Sequence, residues 1–94
     1  MKTKIELVKD VFFAATDGKR EPKNYPDGMW LIEQIAANNS APVVRGWWED
    51  FCSGKESARR ILSRMAHSTE INVSGVNGPT NRSKAVREAY YRFI

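Results

Sequence analysis

The chain has 94 residues, of which 41% are hydrophobic and 28% are charged, and this composition is typical of one small globular domain over residues 1–94. Its net charge of +4 is unevenly placed, because residues 1–50 hold seven Lys/Arg against eight Asp/Glu, whereas residues 51–94 hold eight against three. The chain shows no membrane-length apolar run, no signal peptide and only one cysteine, Cys52, which excludes an internal disulfide and predicts a cytoplasmic protein.

Five segments place apolar residues at helical spacing, with turn residues between them. In chain order they are about residues 4–17, 28–38, 41 to the turn at Ser53, 53–67 and 81–93. Residues 70–73 alternate as a strand would, but for too few positions to form more than a short strand or extended loop. The sequence therefore predicts an all-α fold, a compact bundle or orthogonal array of about five short helices with at most one strand-like segment near 70–73.

Two of the predicted helices begin at a capping-box pattern. Thr3 with Glu6, and Ser53 with Glu56, have the spacing at which each side chain accepts the backbone N–H of the other residue. On the predicted fourth helix, Glu56 and Arg60 have the orientation of a favourable i,i+4 ion pair.

The apolar faces of these helices predict one shared core. Its predicted members are Phe12, Ile35, Trp47, Phe51, Ile61, Leu62, Met65, Ala89 and Phe93. Cys52 follows two of these aromatic residues, so its thiol is expected to be buried and inert.

Residue patterns for catalysis are nearly absent. Cys52 and His67 are the one possible nucleophile–base pair, and we expect the first to be buried and the second to lie on a polar helix face. One Cys and one His cannot supply the three or four ligands of a zinc site, and residues 75–78 lack the lysine of a phosphate-binding loop. We therefore expect a protein that is not an enzyme and that binds no metal or small-molecule cofactor.

The basic C-terminal half offers two exposed stripes to an anionic partner. They consist of Arg60, Arg64 and His67 on the fourth helix, and of Lys84, Arg87 and Tyr91 on the fifth. Cations on one face can neutralise neighbouring phosphates, and an exposed aromatic ring can stack on a base. The stripes therefore indicate a nucleic-acid interface; the alternative is a basic surface that contacts only water.

Two known DNA-binding motifs bear on this hypothesis. With Gly54 as the turn glycine of a helix-turn-helix, Asp50 would occupy the small-residue position and Arg60 the apolar one, which excludes the standard motif in that register. Residues 81–89 locally resemble the second helix of ribbon-helix-helix repressors. That family places a strand just before its first helix, whereas residues 71–73 leave no room for a helix before residue 81, so we do not infer its function.

The tryptophans support a second hypothesis. Trp48 lies at the edge of an apolar arc and Trp30 lies off one, and aromatic residues that the core uses only partly are typical anchors for a protein partner. The alternative for Trp30 is that it covers the loop over residues 19–27 and its Tyr25. The leading prediction is a non-enzymatic nucleic-acid-binding or regulatory protein that uses its basic C-terminal helical face. The second is a small inhibitor or adaptor, for example a phage or plasmid accessory protein, that docks on a larger protein complex.

Overall fold

The structure is a computed structural model that describes residues 2–94. These residues form the helices α1 (Lys4–Ala15), α2 (Pro26–Asn38), α3 (Ala41–Cys52), α4 (Ala58–Val73) and α5 (Asn81–Phe93), with a 3-10 turn at Pro22–Asn24. Within the same range, strand-type pairing is limited to one isolated bridge between Gly75 and Gly78. The all-α prediction is confirmed.

The core lies between α1, α2, α4 and α5, and α3 covers it on the side of α1. Helix α4 is central, since it packs against each of the other four helices. Of the nine predicted core residues, all except Phe51 are buried. Phe51 is half-buried and packs at the edge of the core, where its ring centroid lies 5.3 Å from that of Trp48.

Helix α1 begins as its sequence predicts. The Glu6 N–H donates to Thr3 Oγ1 at 3.2 Å and the Thr3 N–H donates to Glu6 Oε1 at 3.1 Å, which completes the capping box. The hydrogen bond from the Thr3 backbone lowers the pKa of the Glu6 carboxyl, and the Thr3 hydroxyl acts in the same direction. The helix ends at Ala15, two residues before the predicted end, because Asp17 (φ 56°) and Gly18 (φ 73°) both take left-handed conformations.

Helix α2 begins at Pro26, earlier than the predicted Gly28. Proline suits the first helical turn because its missing N–H has no partner there, and Asp27 adds a favourable negative charge beside it. Gly28 itself is buried inside the helix, where it faces α5. A Cβ atom on Gly28 would lie 2.7 Å from Cδ2 of Phe93, so the glycine allows α5 to pack closely.

The predicted start of α4 at Ser53 is wrong, and the capping box between Ser53 and Glu56 does not form. Gly54 takes a left-handed conformation (φ 72°), which ends helical geometry there, and the Ser53 hydroxyl donates to the Asp50 carbonyl. The helix begins at Ala58, after Ser57, whose Oγ accepts the Arg60 N–H at 3.3 Å. Glu56 therefore lies before the helix, and the predicted pair with Arg60 is replaced by one with Arg64.

The predicted end of α4 at His67 is also wrong, because the helix continues through the strand-like residues 70–73. Asn39 explains the extension: it donates to Thr69 Oγ1 at 3.0 Å and accepts from Asn72 Nδ2 at 3.1 Å. These hydrogen bonds join the end of α2 to the last turns of α4, where Thr69 is fully buried. Tertiary contacts thus hold in a helix a segment whose local pattern suits a strand.

A tight turn over residues 74–80 connects α4 to α5. Gly75 and Gly78 exchange two backbone hydrogen bonds, and the latter has a φ of 110°, which favours glycine. The Thr80 hydroxyl then donates to the Val73 carbonyl at 3.0 Å, and Thr80 caps α5 at its predicted first turn. Helix α5 therefore returns antiparallel to α4, so the two basic stripes lie on neighbouring helices.

Candidate nucleic-acid interface

The exposed sides of α4 and α5 meet at an ion pair. Arg87 donates to Glu70 Oε1 through Nε at 2.8 Å, and its Nη2 lies 2.7 Å from the same oxygen. The guanidinium is largely exposed, whereas the carboxylate is mostly covered. We call the exposed sides of these two helices, with Arg60, His67, Lys84, Arg87 and Tyr91, the cationic face.

Arg64, the remaining member of the predicted stripes, points toward α3 instead. Its Nη1 lies 2.9 Å from Glu56 Oε1 and 3.4 Å from Asp50 Oδ2. The hydrogen bond to Glu56 raises the pKa of Arg64, although partial desolvation acts in the opposite direction. Two carboxylates compensate its charge, and it ties α4 to the end of α3 and to the connection between them.

Four of the six predicted interface residues are open to a ligand. The side chains of Arg60, His67 and Lys84 are exposed and form no ion pair or hydrogen bond with any residue of the range 2–94. Tyr91 is 70% exposed, and its ring centroid lies 5.2 Å from that of Tyr90 in an edge-on arrangement.

The C-terminal half of the chain contains few side-chain carboxylates, and each of them forms an ion pair with an arginine. The three carboxylates of residues 51–94 belong to Glu56, Glu70 and Glu88, and they pair with Arg64, Arg87 and Arg92, respectively. The cations of residues 51–94 that no carboxylate pairs with are Lys55, Arg59, Arg60, Arg82 and Lys84. Of these five, only Arg60 and Lys84 are among the site residues predicted from the sequence.

These cations concentrate where helices α4 and α5 begin. Arg59 and Arg60 lie in the first turn of α4, Arg82 and Lys84 lie at the start of α5, and neither first turn holds an acidic residue. A helix N-terminus carries partial positive charge, so each exposed cation there is unfavourable by about 0.3–1 kcal/mol. The sequence already shows that neither first turn contains Asp or Glu. This absence is a signal by which Arg59 and Arg82 could have been predicted as cations without a carboxylate partner.

Two of the additional cations have neutral partners. Arg59 Nε donates at 3.1 Å to the Ala15 carbonyl, which lies at the C-terminal end of α1. Arg82 donates through Nε and Nη2 to Gln34 Oε1 at 3.1 and 2.9 Å. These hydrogen bonds orient the two guanidinium groups. Neither guanidinium has a carboxylate partner, although the C-terminal end of α1 offers partial negative charge to Arg59.

Trp48, a predicted protein anchor, is half-buried at the surface between α1 and α3. Its ring packs against Phe51, and the Lys2 ammonium lies 5.1 Å from its centroid. Lys2 also pairs with Asp10, and this hydrogen bond raises the pKa of Lys2. The tryptophan borders a cleft of about 350 Å³ whose other lining residues are Lys2, Leu7, Arg45 and Glu49.

Trp30, the second predicted anchor, lies half-buried between α2 and α5. It packs against the core and borders a shallow cleft of about 290 Å³ together with Asp27, Glu88 and Arg92. Tyr25 packs edge-on against Phe93, with ring centroids 6.0 Å apart.

Cys52 is exposed, so its predicted burial is wrong. It is the last residue of α3 and lies at the edge of that helix's apolar arc, beyond the cover that the core provides. No hydrogen bond joins its thiol to His67, which instead lines a shallow groove with Trp47 and Ile71. Among residues 2–94, no group of three or more His, Cys, Asp or Glu side chains could hold a metal ion.

No family model, curated protein or solved structure matches this chain. In the described part of the chain, no helix combines the length and apolar character needed to cross a bilayer. A function is therefore inferred from the charge and exposure of the surface alone.

Proposed function

We propose that this protein binds nucleic acid through its cationic face and has a binding or regulatory role rather than an enzymatic one. The supporting observation is that all three side-chain carboxylates of residues 51–94 are paired, while five cations of the same segment have no carboxylate partner. Two of the five, Arg60 and Lys84, lie on the cationic face. An excess of positive charge attracts a polyanion such as nucleic acid, and binding then releases the counterions that are condensed on the polyanion.

The spacing of the uncompensated cations favours an extended ligand. Thr80 contacts Val73, and Arg87 contacts Glu70, so Lys84 lies beside the end of α4, whereas Arg60 lies near its start. At a rise of about 1.5 Å per residue, Arg60 and Lys84 are separated by about 20 Å along the helix pair. One phosphate group cannot contact both side chains, but a chain of phosphates can.

The position of these cations also favours a functional role over a merely solvated surface. Four of them occupy the first turns of α4 and α5, where the helix dipole makes positive charge unfavourable. Asp or Glu at such positions would stabilise the helices, whereas Arg and Lys do not. A phosphate ligand would compensate both the side chains and the helix ends.

The direct test is a titration of the protein with labelled DNA at about 50 and 200 mM salt. Arg60→Ala and Lys84→Ala should each weaken binding, with each lost phosphate contact reducing the salt slope by roughly one unit. Lys23→Ala is the matched control. Lys23 lies in the 3-10 turn, far from α4 in sequence, and its side chain is exposed and forms no ion pair or hydrogen bond with residues 2–94. Lys23→Ala should unfold at nearly the wild-type temperature, and Arg60→Ala and Lys84→Ala should unfold at that temperature or slightly above it, because each removes a cation from a helix N-terminus.

Absence of binding at about 50 mM salt and micromolar protein would exclude this function. It would favour the second candidate, an inhibitor or adaptor that docks on a larger protein complex through the cleft beside Trp48. In that case Trp48→Ala should abolish capture of the partner with little dependence on salt, and nuclease treatment should have no effect.

A further inference from the structure

We infer that the nucleic acid is single-stranded and that one of its bases stacks on Tyr91. This inference rests on the proposed function and adds the strandedness of the ligand. Base stacking on aromatic side chains is how proteins hold single strands without reading their sequence.

The side chain of Tyr91 contributes little to the core. It is 70% exposed, whereas its neighbour Tyr90 packs against the core. The two ring planes meet at 63° with centroids 5.2 Å apart, so the edge contact orients Tyr91 and leaves a ring face uncovered.

Tyr91 lies about midway between the uncompensated cations of the face. It follows Lys84 by seven residues, which is two helical turns or about 10 Å. Because Arg87 pairs with Glu70 and the helices are antiparallel, the α4 residues beside Tyr91 are near position 66, about 10 Å beyond Arg60. A base stacked on Tyr91 would therefore have backbone phosphates on both sides within reach of a long cationic side chain.

A duplex cannot use this arrangement in its interior. Each paired base is covered on both faces by its neighbours, so Tyr91 could stack only at a duplex end, while a single strand can turn any base outward. The combination of an uncovered ring with flanking cations thus distinguishes between the two ligands.

Three probes separate stacking from charge: oligo(dT) of about 12 nucleotides, an abasic deoxyribose-phosphate strand of equal length, and a blunt duplex of that length. At about 50 mM salt, the wild-type protein should bind oligo(dT) roughly 5- to 140-fold more tightly than the abasic strand, the range expected for stacking one base. Tyr91→Ala should remove this preference, whereas Tyr91→Phe should keep it. Phe13→Ala, which removes an exposed ring from α1, is the control and should keep it as well.

The outcomes separate the two proposals. Equal affinity of the wild-type protein for oligo(dT) and the abasic strand, tighter binding of the duplex, or a preference that survives Tyr91→Ala would each overturn the single-strand inference. Salt-dependent binding that Lys84→Ala weakens would still support the proposed function in those cases. No binding of any probe would overturn both.

Discussion

Gly28 and Gly46 both lie inside helices, but their surroundings differ, so substitutions at the two positions test helix propensity and core packing separately. A Cβ atom on Gly46 would have no atom within 4 Å, whereas one on Gly28 would lie 2.7 Å from the Phe93 ring. Gly46→Ala should therefore stabilise the protein by about 0.5–1 kcal/mol, because alanine loses less backbone entropy in a helix. Gly28→Ala should destabilise it by about 1–3 kcal/mol, because a core ring must shift.

Urea unfolding of both glycine variants measures these changes in the free energy of unfolding. A stabilising effect of Gly28→Ala would contradict the close packing of α5 on α2, since propensity alone would then decide the outcome.

Leu62 and Ile71 give a second pair of residues on the same helix, one buried and one exposed. Leu62 is fully buried, whereas Ile71 is 60% exposed. Leu62→Ala should cost about 2–5 kcal/mol through lost apolar burial and the cavity left behind. Ile71→Ala should change the free energy of unfolding by less than about 0.5 kcal/mol. A loss below that value for Leu62→Ala would contradict the assigned orientation of α4.

The first turn of α4 lacks the acidic residue that would complete its cap. Ser57 caps this helix and Arg60 lies three residues later, the position at which Glu would complete a capping box. Arg60→Glu should therefore stabilise the protein by about 0.5–1 kcal/mol, through the new cap and a favourable interaction with the helix dipole. The same change should weaken nucleic-acid binding more than Arg60→Ala does.

Thermal or urea unfolding and the DNA titration measure the two effects of Arg60→Glu in one variant. Lys23→Glu makes the same change in charge outside the cationic face and should leave affinity nearly unchanged. Destabilisation by Arg60→Glu would contradict Ser57 as the cap, whereas unchanged affinity would contradict the role of Arg60 in binding.

The same element shows where local sequence information becomes ambiguous. Ser53 and Ser57 both have the chemistry of a helix cap, and Ser53 also has a Glu three residues later. The left-handed Gly54 and the ion pairs of Arg64 with Glu56 and Asp50 exclude the first start. Those ion pairs join residues 8 and 14 positions apart, so no pattern within one helical turn could predict them.

At the scale of the whole molecule, uneven charge predicts that a polyanion stabilises the fold. A ligand that binds the native state and not the unfolded chain raises the melting temperature, and the increase grows with the logarithm of the ligand concentration above its dissociation constant. Oligo(dT) at a concentration well above its dissociation constant should raise the melting temperature at about 50 mM salt, and this increase should vanish at about 500 mM salt. Differential scanning fluorimetry with and without the oligonucleotide measures it, and an increase that persists at high salt would contradict electrostatic binding.

Local sequence patterns were sufficient to predict the all-α class, the cap of α1, the position of α5 and most of the core. These features depend on interactions within a few residues, namely hydrogen bonds of the first helical turn and apolar side chains that recur at helical spacing. The charge imbalance of residues 51–94 is likewise a property of composition.

Contacts between distant parts of the chain set both ends of α4, the exposure of Cys52 and the identity of the cations that have no carboxylate partner. Asn39 holds Thr69 and Asn72 in the helix across about thirty residues of chain, against a local strand-like pattern. Arg64 looked like a free surface cation in the sequence but lies between two carboxylates, while the overlooked Arg82 meets only a neutral amide. The physical reason is that ion pairs and side-chain hydrogen bonds depend on distances in space, which local periodicity does not contain.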